Sequence, residues 1–250
     1  MAVSIKSARE IELMREAGKR LAHVHQELEA MIAPGISTWE IDAKGEKLIR
    51  DCGCIPNFLH YNGYPASICV SVNDEVVHGI PRKDRYLKEG DIVSLDAGLI
   101  YKGYHSDAVR THAVGKVSTE AQKLMDVTKQ SFFEGIKMAK EGQHLHDISR
   151  AIEEYVTPYG YGIVRDLVGH GIGTALHEDP QIPNYAQKRR GVRLQAGMTL
   201  AIEPMINAGT WQVRFLRDGW TVVTKDGSLS AHYENTILVT DGEPEILTLY

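Results

Sequence analysis

The sequence predicts an α+β fold in which two similar halves, each made of two helices followed by strands, share one antiparallel sheet. A pair of helix signals and a set of strand signals occur in residues 7–116, and the same order returns in residues 117–250. The two halves also align at a shift of 107 residues. The coinciding positions are Gly35 with Gly142, Ile41 with Ile148, Gly53 with Gly160, Leu87 with Leu194, Gly90 with Gly197 and Asp96 with Glu203.

Neither half is large enough to bury its own sheet face, so we expect the halves to pack about a pseudo-twofold axis. The prediction is one domain over residues 1–250, with half-repeats of about 7–116 and 117–250. The composition is ordinary for a globular domain, with 43% hydrophobic and 24% charged residues. A net charge of -5 gives no electrostatic case for nucleic-acid binding, and no apolar run is long enough to span a bilayer.

The N-terminal residues lack the apolar core of an export signal, and this favours the cytoplasm. Only three cysteines are present, and none are spaced as C-x-x-C. This odd number and spacing argue against a disulfide framework and against a thiolate zinc site.

Each half begins with two predicted helices. In the first half, a capping box at Ser7 opens a helix that runs to Pro34-Gly35, and a capping box at Ser37 opens a shorter helix that ends at Gly53. The second half is predicted to repeat this plan. A long helix runs from Thr119 to Gly142, and a short one lies around Ile148 and ends at residues 158–160.

Residues 91–111 are predicted to form a β-hairpin, preceded by short strands at residues 67–72 and 75–78. The Lys102-Gly103 turn fixes the register and places Gly98 opposite Asp107. Asp96 and Asp107 then become diagonal neighbours on one face, at about 7–8 Å between Cβ atoms, and their side chains can converge on one cation. The alternative is that both acids simply form the solvated face of the hairpin.

The second half provides a counterpart for each acid of the hairpin. Asp96 aligns with Glu203, and the segment His105-Ser-Asp107 resembles His232-Tyr-Glu234 at a shift of 127. Four converging carboxylates cannot all ionise in a partly buried site, and two divalent cations would neutralise them.

His170, within Gly-His-Gly-Ile-Gly, offers a neutral nitrogen ligand, although it is equally compatible with a flexible loop histidine. Mixed oxygen and imidazole ligands point to manganese, iron(II), cobalt or zinc rather than to calcium or magnesium. Ligand type does not choose among these four metals.

The ordered set Asp96, Asp107, His170, Glu203 and Glu234, within the segments DAG, YHSDAVRT, GHGIG, AIEP and HYENT, resembles the methionine aminopeptidases of the short type I form. The resemblance covers nearly the whole chain. It implies the pita-bread fold, in which two pseudo-twofold-related halves surround a curved antiparallel sheet. It also implies that Asp107, His170, Glu203 and Glu234 hold one metal, while Asp96, Asp107 and Glu234 hold the other.

The resemblance further implies catalytic and substrate-binding residues. A bridging hydroxide would attack the first peptide carbonyl, Glu203 would take a proton, His177 would stabilise the tetrahedral intermediate and His78 would contact the scissile amide. Taken alone, both histidines are more typical of surface or core positions with satisfied hydrogen bonds, and the alternative for the pocket aromatics is that they belong to the core. The expected substrate-binding residues are Phe58, Tyr61, Tyr64, Cys69, His78, His177 and Trp220.

Two further details accompany the resemblance. Leu176 departs from the family pattern, which often has an aromatic residue before that histidine, so we expect a different pocket edge. Asn73 and Ser230 resemble a site for one monovalent cation, made largely of backbone oxygens.

The activity implied is removal of the initiator methionine from nascent polypeptides when the second residue is small. We expect a cytoplasmic monomer without membrane association. The basic run at residues 187–190 is compatible with a transient ribosome contact, but such a run is usually a solvated loop, and the sequence does not predict RNA binding.

Three alternatives remain open at this point. A proline-specific peptidase of the same fold resembles this site, but it normally carries an additional N-terminal domain that 250 residues do not accommodate. A non-catalytic binding protein on the same scaffold would be expected to have lost ligands, whereas all five are present. A purely structural ion site would bind one metal rather than two.

Overall fold

The structure, a computed structural model, describes residues 3–249. This part of the chain contains four α-helices and fifteen strands. The helices are α1 (Ala8–Glu29), α2 (Thr38–Asp51), α3 (Thr119–Ile136) and α4 (Leu145–Val156). The strands are β1 (Ile55–Pro56), β2 (Ile68–Val72), β3 (Glu75–Val77), β4 (Ile92–Tyr101), β5 (Tyr104–Ala113), β6 (Gly162–Ile163), β7 (Gly169–Gly171), β8 (Glu178–Ile182), β9 (Thr199–Ile202), β10 (Met205–Asn207), β11 (Val213–Phe215), β12 (Val222–Thr224), β13 (Ser230–His232), β14 (Glu234–Leu238) and β15 (Glu245–Ile246). Single 3₁₀ turns lie at Tyr61–Gly63 and Thr157–Tyr159.

The starts of the first two helices follow from their capping boxes. The Ser7 side chain accepts from the Glu10 backbone N–H, and the Glu10 carboxylate accepts from the Ser7 N–H. Ser37 and Glu40 make the same reciprocal pair at α2. The first backbone N–H groups of a helix have no partner within the helix, and each capping box provides partners for two N–H groups at the helix start. The predicted starts of both helices are confirmed.

Two predicted helix ends are too late. Helix α1 ends at Glu29 rather than at Pro34, and α3 ends at Ile136 rather than at Gly142. Beyond α3 the backbone makes bonds to distant segments instead of helical ones. Glu141 N donates to Thr240 O, and Gly142 N donates to Leu194 O at 2.9 Å.

One antiparallel sheet dominates the molecule, with the strand order β1-β4-β5-β14-β9-β7-β8, while β2 pairs with β4 and β15 pairs with β14. The β4–β5 hairpin has the predicted register, since Tyr101 pairs with Tyr104 and Gly98 pairs with Asp107. Strands β5 and β14 join the two halves at Glu234 and Val109. The sheet therefore runs without interruption from the first half into the second.

The same loop geometry occurs twice. Gly35 donates to Leu87 O at 2.8 Å, and its counterpart Gly142 donates to Leu194 O at 2.9 Å. Both glycines have a positive φ, 92° and 87°, which residues with a Cβ rarely adopt. A second pair repeats in the same way: Gly90 N to Val114 O at 3.0 Å and Gly197 N to Val239 O at 2.9 Å.

The helices cover one face of the sheet. Leu95, Ala97 and Leu99 of β4 are fully buried against the α1 side chains, such as Leu21 and Val24. In the second half, Phe132 of α3 lies at the centre of a separate apolar cluster. Because β4 alternates its side chains, its other face carries Asp96. In residues 3–249, no helix combines the length and the apolar character that crossing a bilayer requires.

Candidate active site

A cavity of about 240 Å³ lies where the acidic positions of the sheet meet. It brings together all five predicted metal ligands and all seven predicted substrate-binding residues. Leu176, which the sequence placed at the pocket edge, and Asn62, which it did not assign to the site, complete its wall. The lining residues are Phe58, Tyr61, Asn62, Tyr64, Cys69, His78, Asp96, Asp107, His170, Leu176, His177, Glu203, Trp220 and Glu234.

The five predicted ligands come from five adjacent strands of the sheet. Asp96 lies on β4, Asp107 on β5, Glu234 on β14 and His170 on β7, and Glu203 directly follows β9. These strands are consecutive in the order β4-β5-β14-β9-β7. The rigid hydrogen-bonded ladder therefore fixes the relative positions of residues that are up to 138 positions apart in the chain.

Asp107, His170 and Glu234 form the tightest group, with one potential ligand atom of each within 4.8 Å of the others. The His170 Nε2 atom also lies 3.7 Å from Glu203 Oε1. On the other side of the ring, His170 Nδ1 is 2.8 Å from the carbonyl oxygen of Gly171. A carbonyl oxygen only accepts hydrogen bonds, so Nδ1 must be the donor. The bond assigns the hydrogen to Nδ1 and leaves the Nε2 lone pair facing the carboxylates, as metal coordination requires.

Gly98 makes room for this group. A Cβ at this position would lie 2.6 Å from Asn57 Nδ2 and 3.0 Å from Asp107 Oδ1. Asn57 in turn is buried and donates to the carbonyl oxygen of Ser106 at 3.2 Å. The absent side chain of Gly98 thus allows a buried amide to pack beside the Asp107 carboxylate.

Burial makes the charged forms of the carboxyl groups costly. It raises the pKa of Asp96 to about 7. It also raises the pKa values of Asp107, Glu203 and Glu234 well above their usual range, and repulsion from neighbouring carboxylates raises them further. Burial has the opposite effect on the imidazole, because it lowers the pKa of His170 to about 4.

This donor set fits a divalent cation. Asp96 Oδ1 and Glu234 Oε1 are buried without a hydrogen-bond partner, although buried carboxylate oxygens normally have one. A cation held between them would satisfy both atoms and would offset the repulsion that raises the carboxyl pKa values. The alternative interpretation, in which Asp96 and Asp107 simply form the solvated face of the hairpin, is therefore wrong.

The two predicted catalytic histidines lie on the cavity wall. The His177 ring centroid is 4.4 Å from that of His170, and His177 Nδ1 is 2.8 Å from the Tyr61 hydroxyl. His78 packs edge-on against Trp220 with ring centroids 6.3 Å apart, and Trp220 packs in the same way on Tyr64 at 5.1 Å. The aromatic wall thus begins directly beside the acidic group.

Asn73 and Ser230, the predicted monovalent-cation residues, lie together but do not line the cavity. Ser230 N donates to Asn73 O at 2.8 Å. The Asn73 side chain is already engaged, because its Nδ2 donates to Asp91 Oδ1 at 2.8 Å and its Oδ1 accepts from Ile92 N. A cation here would depend on backbone oxygens, and the site remains a prediction.

Several residues that support the site were missed by the sequence analysis. His232 Nε2 lies 3.5 Å from Glu203 Oε2, and Asn184 Nδ2 donates to Glu203 O at 3.0 Å. The Thr236 hydroxyl contacts both the N–H and the carbonyl oxygen of Asp107. His232 could have been predicted, because it lies two residues before Glu234 in the repeated motif. No sequence pattern indicates Asn184.

Comparison with known proteins decides the family. Residues 12–241 match the family described as metallopeptidase family M24. The chain belongs to this family. It is 53% identical to the methionine aminopeptidase of Clostridium acetobutylicum over 247 residues, which cover 99% of each protein.

Solved structures of M24 proteins agree with the fold. A methionine aminopeptidase from Thermotoga maritima matches with a TM-score of 0.97 and 46% identity over 100% of both chains. A prolidase from Pyrococcus furiosus matches with a TM-score of 0.77 at 24% identity, covering 98% of this chain and 65% of the prolidase, which indicates a shared fold alone. The pita-bread fold and the family that the sequence predicted are confirmed.

Proposed function

We infer that the chain is a metal-dependent aminopeptidase that removes the initiator methionine from nascent proteins whose second residue is small. The observation that carries this inference is one cavity in which five potential metal ligands adjoin an aromatic slot. Membership of metallopeptidase family M24 and the 53% identity to a methionine aminopeptidase support it.

The metal assignment is the one that the family resemblance implies, and it is compatible with the order of the strands. Asp107, His170, Glu203 and Glu234 would hold one divalent ion, and Asp96, Asp107 and Glu234 would hold the second. Manganese, iron(II), cobalt and zinc all suit this mixture of oxygen and imidazole ligands. When bound, the ions supply a Lewis acid and make a water molecule nucleophilic near neutral pH.

The apolar part of the cavity suits a methionine side chain. Phe58 and Cys69 are buried, and Tyr64 and Trp220 meet edge to face. A thioether sulfur packs favourably against aromatic edges, and a cavity of about 240 Å³ leaves little space for more than one residue. Leu176 occupies the edge of this slot in place of the aromatic residue that the family pattern suggests.

The protein side chains divide the proton transfers between them. Glu203 would accept a proton from the attacking water, and the position of its carboxylate between His170 and His232 supports this role by restricting its orientation. Burial lowers the pKa of His177, which favours the neutral ring, and the Tyr61 hydroxyl is 2.8 Å from its Nδ1. With Tyr61 as the donor in this pair, the hydrogen of His177 would be on Nε2, where it can be donated to the carbonyl oxygen as negative charge develops.

His78 would contact the amide of the scissile bond. Its backbone is held at φ 58°, a conformation that is rare for residues with a Cβ and that recurs at functional sites. Burial lowers the pKa of His78 to about 4, so its ring is neutral in the same range as that of His177.

The remaining parts of the proposal concern the substrate in the cell, the cellular location and possible partners. The proposed substrate is the N-terminal methionine of a nascent polypeptide, met in the cytoplasm by a monomeric enzyme. A transient ribosome contact through residues 187–190 remains part of the proposal. Arg190 is partly engaged there, since its Nη2 pairs with Asp147 Oδ2 at 2.7 Å.

The test is release of methionine from Met-Ala-Ser by chelator-stripped protein titrated with manganese, iron(II), cobalt or zinc. We expect release that depends on the added metal and no cleavage of Ala-Pro-Ala. Cleavage of Ala-Pro-Ala would instead favour a proline-specific peptidase. Bound metal without cleavage of either peptide would contradict an enzymatic function.

A further inference from the structure

A buried ion pair ties the N-terminal segment, residues 4–6, to the loop that carries His177. Lys6 has a side chain that is only 5% exposed, and its Nζ lies 2.6 Å from Glu178 Oε2. The Ser4 hydroxyl donates to the same oxygen at 2.7 Å and also accepts from Lys6. The segment is anchored on its other side by the bond from Lys6 N to Gly197 O at 2.8 Å.

Glu178 also closes the loop on itself. Its Oε1 accepts from Ala175 N at 3.2 Å and from the Thr174 hydroxyl at 3.4 Å. A Cβ at Gly173 would lie 2.5 Å from Lys6 Cε and 2.6 Å from Glu178 Oε1. The ion pair is thus packed directly against Gly173.

This loop connects the proposed metal ligand His170 with His177. Glu178 is the residue next to His177, and it pairs across the sheet with Gly171, the residue next to His170. Gly173 O also accepts from His105 N at 2.8 Å, which joins the loop to strand β5. A shift of the Glu178 backbone would therefore change the distance between the His177 ring and the substrate.

The Glu178 carboxylate is ionised near neutral pH. Burial raises the pKa of Glu178, but the hydrogen bonds from Lys6 and Ser4 outweigh this effect and lower the pKa overall. A partly buried carboxylate that loses its cation is left uncompensated, so we expect the surrounding backbone to rearrange toward water or another donor.

We propose that Lys6, acting through Glu178, is a positioning residue that holds His177 in its catalytic orientation. The proposal rests on the function inferred above. It assigns a role to a lysine that no part of the proposed mechanism otherwise uses. Neither residue lines the cavity, so neither would contact the substrate.

The test compares Lys6→Met, Glu178→Gln and the double variant, all loaded with metal, in the hydrolysis of Met-Ala-Ser. We expect each single change to lower kcat about tenfold, as small losses of alignment do, while KM and bound metal stay near wild type. Because the two residues act as a unit, the double variant should be no slower than either single one. Failure of wild-type protein to cleave this peptide would count against the proposed function instead.

The matched control is Arg15→Met. It removes a two-point ion pair with Glu245, also 2.6 Å long, that joins α1 to the C-terminal part of the chain away from the cavity. Its kcat should equal that of wild type. If Lys6→Met does not fold, Glu178→Gln still decides the question, because it retains the shape of the side chain.

Two outcomes would overturn the proposal. One is an unchanged kcat in Glu178→Gln with the peptide cleaved normally. The other is a loss of kcat that matches the loss of bound metal in each variant, because that result would indicate a general structural role.

Discussion

At the scale of single residues, the environment of a histidine decides what it can do. The Tyr61 hydroxyl is 2.8 Å from His177 Nδ1, while the Gly171 carbonyl is 2.8 Å from His170 Nδ1. The carbonyl can only accept, so the hydrogen of a neutral His170 is on Nδ1, whereas a hydroxyl both donates and accepts and is compatible with either tautomer of His177. His170 Nε2 thus keeps a lone pair that can bind a metal, and the proposed mechanism requires the other tautomer of His177, with its hydrogen on Nε2 for the substrate.

This difference predicts how substitutions at His177 and Tyr61 affect turnover. His177→Ala should lower kcat by about a hundredfold, because a donor to the developing oxyanion is lost, whereas metal affinity should change little. Tyr61→Phe keeps the imidazole and loses only the hydrogen bond between the hydroxyl and His177 Nδ1, so a roughly fivefold loss is expected. Steady-state kinetics with Met-Ala-Ser, beside metal titration by calorimetry, separates the two quantities. Equal losses of kcat and metal affinity in His177→Ala would contradict the assigned role.

The sequence was informative about residues whose chemistry needs a particular spacing. The carboxylates could be found because an internal repeat pairs Asp96 with Glu203 and Asp107 with Glu234. Asn184 and Thr236 could not, since each acts by hydrogen bonds to the backbone of a distant ligand residue. Hydrogen bonds from a polar side chain to a distant backbone leave no periodic pattern in a sequence.

At the scale of elements, the β4–β5 hairpin shows how a turn determines a site. The Lys102-Gly103 turn requires positive φ at both residues, and the structure has 48° and 86° there. This turn fixes the register over ten residue pairs, from Tyr101 with Tyr104 to Ile92 with Ala113. A slip of one residue would move Asp96 and Asp107 to the covered face.

The close packing at Gly98 provides a test of that arrangement. Gly98→Ala places a methyl group 2.6 Å from Asn57 Nδ2 and 3.0 Å from Asp107 Oδ1, so one of the two must move. We expect metal affinity to fall about tenfold, as it does when support for a ligand is lost. Calorimetric titration with manganese measures this change.

The matched control for Gly98→Ala removes the competing amide. Asn57→Ala with Gly98→Ala removes the contact of 2.6 Å with Asn57 Nδ2, the shortest one, and part of the metal affinity should return. If Gly98→Ala alone binds metal as wild type does, then Gly98 does not serve the position of Asp107.

Elements with local signals were predictable, and those with remote partners were not. The α1 and α2 starts follow from capping boxes within four residues. The end of α3 depends on backbone hydrogen bonds from residues 141 and 142 to Thr240 and Leu194. No local sequence pattern indicates these bonds. Short strands such as β6 and β7 exist only because another strand lies beside them.

At the scale of the whole molecule, the metal site belongs to neither half alone. The first half supplies Asp96 and Asp107, while the second supplies His170, Glu203 and Glu234. The boundary is the pairing of β5 with β14, where Glu234 lies opposite Val109. Four carboxyl groups from two halves therefore meet at the centre of one sheet, and their mutual repulsion opposes the packing of the halves unless protons or cations are bound.

The protonation of these carboxyl groups links metal binding to pH. The pKa of Asp96 is raised to about 7, and those of Asp107, Glu203 and Glu234 are raised well above their usual range. Groups with raised pKa values bind protons more tightly in the folded state than in the unfolded state. Their contribution to stability is present below the ordinary carboxyl pKa and is lost as pH rises through 7 and beyond.

A bound cation replaces those protons, so the metal-free and metal-loaded proteins should diverge as pH rises. As pH rises from the ordinary carboxyl pKa of about 4 through about 7, the melting temperature of chelator-treated protein should lose this contribution, while that of metal-loaded protein should stay higher. Metal binding at about pH 7 should also release protons, seen as a calorimetric heat that depends on the ionisation enthalpy of the buffer. Asp107→Asn removes one such carboxyl group, and it should release fewer protons and bind metal more weakly. A heat of binding that is identical in all buffers would mean that the carboxyl groups are already ionised in the metal-free protein, and that the halves are held together against their repulsion by other contacts.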